Sequence, residues 1–139
     1  MTPAENKHLI THAFSAMGQS DIGPLVDLMT DDFAWIIEGK SKFSNRFDGK
    51  AAVEGELLRP LFDAFATPYR FEIEEIIAEG ERVVVLGRGQ VRTKWGKDYD
   101  NHYCFVIRMA EGRMVELCEY LDTALVEAVF GSQGRGETR

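Results

Sequence analysis

The chain has 139 residues, of which 45% are hydrophobic and 28% charged, values typical of one globular domain. Twenty-three acidic and sixteen basic residues give a net charge of −7, which argues against nucleic acid or an anionic membrane as the main partner. Two cysteines are too few for a disulfide scaffold or, alone, for a four-ligand zinc site. The apolar runs are too short to cross a membrane and the N-terminus lacks a signal-peptide pattern, so the expected location is the cytoplasm.

The first thirty residues have the apolar spacing of helices. Thr2 and Glu5 have the spacing of a capping box, and Pro3 suits the first helical turn. Gly18 is a typical C-terminal stop, after which Asp21 can cap a second helix. We therefore expect two helices before the first strand.

The middle of the chain is predicted to form a strand, a loop and a third helix. The aromatic and β-branched run at 33–37 is typical of a strand, and the polar residues 40–48 predict a loop. Residues 51–66 regain a helical spacing of leucines and phenylalanines. Pro60 is expected to bend this helix.

From residue 69 onward the apolar period falls to two, which predicts β-strands. Short glycine-containing turns separate these strands, so neighbours are expected to pair antiparallel. The predicted strands span 69–78, 82–93, 99–109 and 113–122, and a last helix spans 123–130.

The element order α-α-β-α-β-β-β-β-α predicts a single α+β domain over residues 1–131. Three helices in the N-terminal half are expected to close one face of a curved, cone-shaped, mostly antiparallel sheet. The mouth of such a cone is a natural small-molecule pocket. Residues 132–139 have no apolar side chain and are expected to be a flexible tail.

The last hairpin determines which polar side chains the sequence places together. If residues 111–112 form a two-residue turn, a regular register places Tyr103 opposite Tyr120 and Asn101 opposite Asp122. These four side chains would share one face of the sheet. They offer a carboxylate, two phenols and an amide, groups that orient and protonate small organic substrates.

Strand alternation assigns further side chains to the faces of the sheet. Cys104 and Cys118 are expected to point to opposite faces and therefore to form no disulfide. Arg88 and Gln90 share one face of their strand, where Arg88 beside Asp122 would lower the pKa of that carboxyl or form a structural ion pair. Asp122 itself suits two roles, as the cap of the following helix and as an acid/base.

This element order and four short motifs resemble the SnoaL-like branch of the nuclear-transport-factor-like superfamily, over about residues 3–131. That superfamily also contains ketosteroid isomerase and limonene epoxide hydrolase, as well as non-catalytic binding proteins. The motifs are TDDFAW at 30–35, GKAAV at 49–53, EGRMVE at 111–116 and EYLD at 119–122.

The resemblance argues against the mechanism of ketosteroid isomerase, which uses a helix tyrosine, an Asp base and a second, protonated Asp. The matching position for the tyrosine is Ala13 or Phe14. The base falls on Ile37, and the second Asp falls on Tyr103 or Cys104. None of these residues carries a carboxylate.

The resemblance to limonene epoxide hydrolase is partial. Its Asp-Arg-Asp set is matched by Asp122 and Arg88, but its other Asp falls on Gln90. The Tyr and Asn that hold its attacking water fall on Trp35 and Ile37. SnoaL-like cyclases use one pocket Asp as acid/base without a cofactor, a role that the resemblance assigns to Asp122.

We therefore expect a cofactor-independent enzyme that acts by acid/base catalysis on a small, largely apolar, oxygenated molecule, by isomerisation, cyclisation or dehydration. The expected catalytic residues are Asp122, with Arg88 as its tuning partner, and Tyr103. The alternative is a non-catalytic ligand-binding or assembly module of the same fold. The side chains expected to bind the substrate are Phe14, Trp35, Ile37, Gln90, Asn101 and Tyr120.

Partners and metals follow from the same patterns. The resemblance implies a homodimer, and the second face of the sheet is apolar enough to need covering, by a partner or by helices. His8 and His12 lie one helical turn apart without a third ligand in the pattern, so no metal site is expected. A small apolar organic ligand is the expected partner, with no nucleic acid and no membrane.

Overall fold

The computed structural model describes residues 1–131. Its first element is helix α1 (Pro3–Met17). Its N-terminus has the predicted capping box. The Glu5 N–H donates to Thr2 Oγ1 at 3.1 Å, and the Thr2 N–H donates to Glu5 Oε1 at 2.8 Å. The predicted tail, 132–139, lies outside the described residues.

Helix α2 (Gly23–Leu28) leads directly into strand β1 (Met29–Ile37). The helix begins after Ile22 and not at Asp21, whose carboxylate instead accepts a hydrogen bond from the Gly23 N–H at 3.0 Å. A short strand β2 (Asn45–Asp48) lies in the predicted loop and pairs antiparallel with β1. The sheet therefore has six strands and not the predicted five.

The third predicted helix is interrupted by a π-helical stretch, Val53–Leu58, between helices α3 (Lys50–Ala52) and α4 (Arg59–Asp63). Pro60 has no N–H to donate four residues back, so the ordinary α-helical ladder cannot continue through this turn. The predicted bend at this proline thus takes the form of a wider helical turn.

The second half of the chain forms the predicted antiparallel meander, and β1 adds to it by pairing parallel with the last strand. The strand order in the sheet is β2-β1-β6-β5-β4-β3. No helix among residues 1–131 is both long and apolar enough to cross a bilayer. The remaining elements are β3 (Arg70–Glu79), β4 (Arg82–Gln90), β5 (His102–Ala110), β6 (Arg113–Leu121) and α5 (Thr123–Phe130).

Helix α1 packs across β3 and β4 and covers the inner face of the sheet. The fully buried Phe14 ring lies against Phe105 of β5 and Phe71 of β3, with ring centroids 5.2 and 5.9 Å apart. Gly18 permits this close packing, because a Cβ there would lie 2.4 Å from the Phe71 carbonyl oxygen. The α+β architecture is the predicted one.

The hairpin between β5 and β6 has the predicted turn but not the predicted register. Glu111 and Gly112 have φ values of 50° and 77°, as a two-residue turn of the primed type requires. Ala110 lies opposite Arg113, as predicted. Two residues further along β6, Val115 has no partner across the hairpin, because the register shifts there by one residue.

This β-bulge overturns the predicted pairs. Tyr103 lies opposite Leu121, and Cys104 lies opposite Tyr120. The physical reason is packing: Met114 and Leu117 are three residues apart, and the extra residue allows both side chains to be fully buried on the inner face. Every β6 side chain beyond the bulge therefore faces opposite to its predicted side.

The two cysteines lie on the same face, contrary to the prediction. Cys104 and Cys118 both occupy outer-face positions, at pairs two residues apart in the β5–β6 ladder. Both thiols are free. The shift also places Tyr120 on the outer face, where 48% of its surface is exposed.

Candidate functional site

A cavity of about 50 Å³ lies between the inner face of the sheet and the helical segment 50–63. Fifteen residues line it, and eleven of them are aliphatic or aromatic without a hydroxyl or carboxyl group. The π-helical stretch contributes Leu57 and Leu58 to the wall, and the loop after β1 contributes Phe43. The four lining residues with a hydroxyl or carboxyl group are Tyr69, Tyr99, Tyr103 and Glu119.

Among the described residues, Glu119 is the one carboxylate in this wall. The bulge in β6 turns it to the inner face between Leu117 and Leu121, and only 7% of its surface is exposed. The Trp35 Nε1–H donates to Glu119 Oε1 at 2.8 Å. Within residues 1–131, no Lys, Arg or His forms an ion pair with this carboxylate.

Burial without a cationic partner changes the acidity of this group. Desolvation raises the pKa of Glu119 to about 7, against the smaller opposing effect of the hydrogen bond from Trp35. A carboxyl with this pKa is present in both protonation states near neutral pH. It can therefore accept and donate a proton under the same conditions, as a general acid/base must.

Three buried tyrosines supply the other polar groups. Burial raises the pKa of Tyr99 to about 12 and the pKa values of Tyr69 and Tyr103 well above the ordinary value. All three phenols therefore keep their protons at neutral pH and can donate hydrogen bonds. Gly89 makes room for one of them, because a Cβ there would lie 2.5 Å from Tyr69 Oη.

Three of the residues predicted for the site line this cavity: Trp35, Ile37 and Tyr103. Tyr103 and Glu119 are diagonal neighbours on the inner face, because Tyr103 pairs with the residue two positions beyond Glu119. Phe14, predicted for the same wall, lies in the core outside the set of cavity-lining side chains.

Asp122 does not face the cavity, contrary to the prediction. Its side chain is exposed at the N-terminus of α5, where Asp122 Oδ1 accepts a hydrogen bond from the Leu125 N–H at 3.1 Å. This is the helix-capping role that the sequence left open. Asn101 is buried and does not line the cavity, but its Nδ2 donates a hydrogen bond to Tyr99 Oη at 3.3 Å, and Tyr99 does line it.

Arg88, Gln90 and Tyr120 lie on the outer face and form no part of the cavity. Arg88 Nε donates to Glu74 Oε2 at 3.0 Å, and His102 Nε2 lies 2.7 Å from Glu74 Oε1. The predicted pairing of Arg88 with Asp122 is therefore wrong. Among residues 1–131, no group of three or more His, Cys, Asp or Glu side chains is arranged to hold a metal ion.

Sequence reasoning missed Glu119, the residue with the most distinctive chemistry in the cavity. The sequence does hold a signal for it. Leu117, Glu119 and Leu121 are spaced two residues apart and therefore share one face of the strand, which the two leucines mark as the buried face. The three-residue spacing of Met114 and Leu117 was a further sign of a bulge. A regular register, without the bulge, places the Glu119 side chain on the outer face.

This architecture, a curved six-stranded sheet closed by helices around a cavity, is the nuclear-transport-factor-like (NTF2-like) fold. Residues 10–117 match the SnoaL-like domain family, and the chain belongs to that family. Among solved structures, an NTF2-like protein from Burkholderia xenovorans LB400 is 26% identical, with a TM-score of 0.71 over 92% of this chain and 97% of the other.

Two further solved structures share the fold. A proposed SnoaL-like polyketide cyclase from Jannaschia sp. CCS1 is 18% identical, with a TM-score of 0.77 over 92% of this chain and 94% of the other. TerC, co-crystallised with polyporic acid, is 23% identical, with a TM-score of 0.73 over 86% and 93% of the two chains. No protein with a curated description matches this chain.

Proposed function

We propose that the protein is an acid/base catalyst that moves a proton on a small, largely apolar, oxygenated molecule, with Glu119 as the proton acceptor and donor. Isomerisation, cyclisation and dehydration are reaction types that one such carboxyl can serve. The observation that carries the proposal is a buried carboxyl at a cavity whose other walls are hydrocarbon and phenol groups. The proposal gives Glu119 the role that the sequence predicted for Asp122.

The proposed step begins with Glu119 as a carboxylate. It removes a proton from a carbon next to a carbonyl group and becomes the carboxylic acid. The substrate oxygen gains negative charge in this step, and the hydroxyls of Tyr69, Tyr99 and Tyr103 are available in the same cavity to donate hydrogen bonds to it. Glu119 then returns the proton to another carbon or to a leaving hydroxyl, so it ends in its initial state and no cofactor is required.

Deuterium exchange of a small ketone tests this proposal. Cyclohexanone is incubated with the protein in deuterated buffer, and the loss of its α-proton signals is followed by NMR. We expect the rate to rise as the pH passes about 7, where Glu119 ionises, and to fall about 100-fold or more in Glu119→Gln. Asp122→Asn is the matched control, because it neutralises a carboxylate that lies outside the cavity and keeps an oxygen that can cap α5. Equal exchange rates in the wild type and Glu119→Gln would contradict the proposal.

A non-catalytic ligand-binding or assembly module is the second candidate, favoured because the cavity is small for a substrate. Its volume of about 50 Å³ is well below the roughly 300 Å³ at which ligand pockets usually begin. TerC, which shares the fold, was crystallised with polyporic acid, so this compound is a suitable probe. Saturable quenching of tryptophan fluorescence by polyporic acid, present in the wild type and lost in Trp35→Phe, with no ketone exchange and no change in the probe, would support this second candidate.

We also propose that the protein is a homodimer that pairs through the outer face of its sheet. An apolar row crosses four strands on that face, and its outermost member, Ile77, is 50% exposed. Val106→Lys would place a charge in the centre of this row, and we expect it to convert a dimer in light scattering into a monomer. A monomeric wild type would contradict the proposal. The row consists of Ile77, Val84, Val106 and Cys118.

A further inference from the structure

Asn101 is a buried amide whose four hydrogen bonds join the ends of β5 and β6 to the cavity wall. Only 1% of its surface is exposed. Its Oδ1 accepts hydrogen bonds from the backbone N–H groups of His102 at 2.7 Å and Asp122 at 3.0 Å. Its Nδ2 donates to the Asp122 carbonyl oxygen at 3.1 Å and to Tyr99 Oη at 3.3 Å.

These partners determine which way the amide points. A reversed Asn101 side chain would place its NH₂ group against two backbone N–H donors and its oxygen against the Asp122 carbonyl. Both contacts would set like groups against each other, donor to donor and acceptor to acceptor. Tyr99 therefore faces a group that donates hydrogen bonds and cannot accept one.

The direction of this bond constrains the Tyr99 proton. Tyr99 is 3% exposed and lines the cavity, and the phenol stays protonated because burial raises its pKa. Since its oxygen accepts from Asn101, its own O–H must point elsewhere. The hydrogen bond between the two phenols lowers the pKa of Tyr99 and raises that of Tyr103, as a bond donated by Tyr103 does, so the acceptor position for the Tyr99 O–H is on the cavity side.

We infer that Asn101 is a positioning residue that makes the Tyr99 hydroxyl a hydrogen-bond donor on the cavity side, so that the cavity takes a ligand with an acceptor oxygen, such as a carbonyl. The inference rests on the proposed function only in that the cavity holds a ligand. It also differs from the sequence prediction, in which Asn101 contacts the substrate itself.

The identity of residue 101 matters because an aspartate side chain has the same shape as that of Asn101. In the Asn101→Asp variant, the carboxylate would still accept from the His102 and Asp122 N–H groups. It would present an oxygen, and not an NH₂ group, both to Tyr99 and to the Asp122 carbonyl oxygen, so the bond that the amide donates to that carbonyl would be lost. Tyr99 would then donate to residue 101 and no longer to the cavity side.

The first test needs no ligand. Tyr99 is replaced by 3-fluorotyrosine, and ionisation of its hydroxyl is followed by fluorine NMR in the wild-type background and in Asn101→Asp. Loss of the amide donor and gain of a carboxylate both disfavour the phenolate, so we expect the ionisation constant to fall at least about tenfold. A change of less than about twofold would overturn the inference. The matched control is 3-fluorotyrosine at Tyr120, which is exposed on the outer face.

A second test keeps Asn101 intact, so it does not depend on the folding of that variant. The binding of acetophenone and of ethylbenzene, which differ in the carbonyl oxygen, is measured for the wild type and Tyr99→Phe. We expect the substitution to weaken acetophenone binding about tenfold and ethylbenzene binding less than about twofold. Equal losses for both probes would overturn the inference. Failure of the wild type to bind either probe would count against the proposed function, and the fluorotyrosine titration would still decide the role of Asn101.

Discussion

The buried Glu119 carboxyl should make the stability of the protein depend on pH in a direction opposite to that of most carboxylates. Burial raises its pKa from 4.5 to about 7, so between these pH values the folded state holds a proton that the unfolded state has released. The contribution to stability is complete below about pH 4.5 and is lost as the pH rises through about 7. A difference of about 2.5 pKa units corresponds to about 3 kcal/mol in the free energy of unfolding.

Glu119→Gln should remove this dependence while keeping the shape of the side chain and an oxygen for the Trp35 N–H. Urea denaturation of both proteins from about pH 4.5 to about pH 8 gives the difference in free energy of unfolding. We expect the wild type to lose about 3 kcal/mol relative to the variant across this range. Curves that stay parallel would refute the reasoning. The matched control is Glu75→Gln, which removes an exposed carboxylate. If this variant differed from the wild type with the same pH dependence, the effect would come from the loss of any negative charge and not from the burial of Glu119.

Three further substitutions test the surroundings of the site. Trp35→Phe removes the hydrogen bond that lowers the pKa of Glu119, so the midpoint of its carboxyl titration in carbon NMR should move to higher pH; an unchanged midpoint would speak against the bond. Gly89→Ala would place a methyl group 2.5 Å from Tyr69 Oη, and we expect a loss of about 1–3 kcal/mol in urea denaturation. Asp122→Ala should cost about 1 kcal/mol by removing the cap of α5, and Asp122→Asn should restore most of it; equal losses in the two variants would contradict capping.

Local signals explain why most of the fold could be predicted. The capping box at Thr2, the stop at Gly18 and the turn at 111–112 each act within a few residues, and each lies where the sequence placed it. Strand β2 could not be predicted in this way. Two of its four residues, Asn45 and Asp48, are of types depleted in strands, and the segment is held in the sheet by pairing with β1.

The site was harder to predict because one extra residue in β6 moves every later side chain of that strand to the opposite face of the sheet. Alternation from the turn placed Asp122 inside and Glu119 outside, and the bulge at Val115 reverses this assignment. The turn residues hold no information about the bulge. It arises because Met114 and Leu117 both pack into a core built from distant parts of the chain. Trp35 and Ile37 line the cavity because the pairing of β1 with β6 is regular from Ala34 to Ile37, after a register shift that lies before Ala34.

The chemistry of Glu119 favours the catalyst over the binding module. Well above pH 7, keeping Glu119 ionised in the folded state costs about 3 kcal/mol, a large share of the 5–15 kcal/mol that is typical of a folded domain, and a glutamine would avoid this cost. A glutamine would also serve a passive ligand as a hydrogen-bond partner. A group that changes its protonation state near pH 7 is useful to a protein that must transfer a proton, and a simple binder gains nothing from it. The stability lost by burying a carboxyl that no cation among residues 1–131 pairs with is therefore the expected counterpart of the proposed acid/base catalysis.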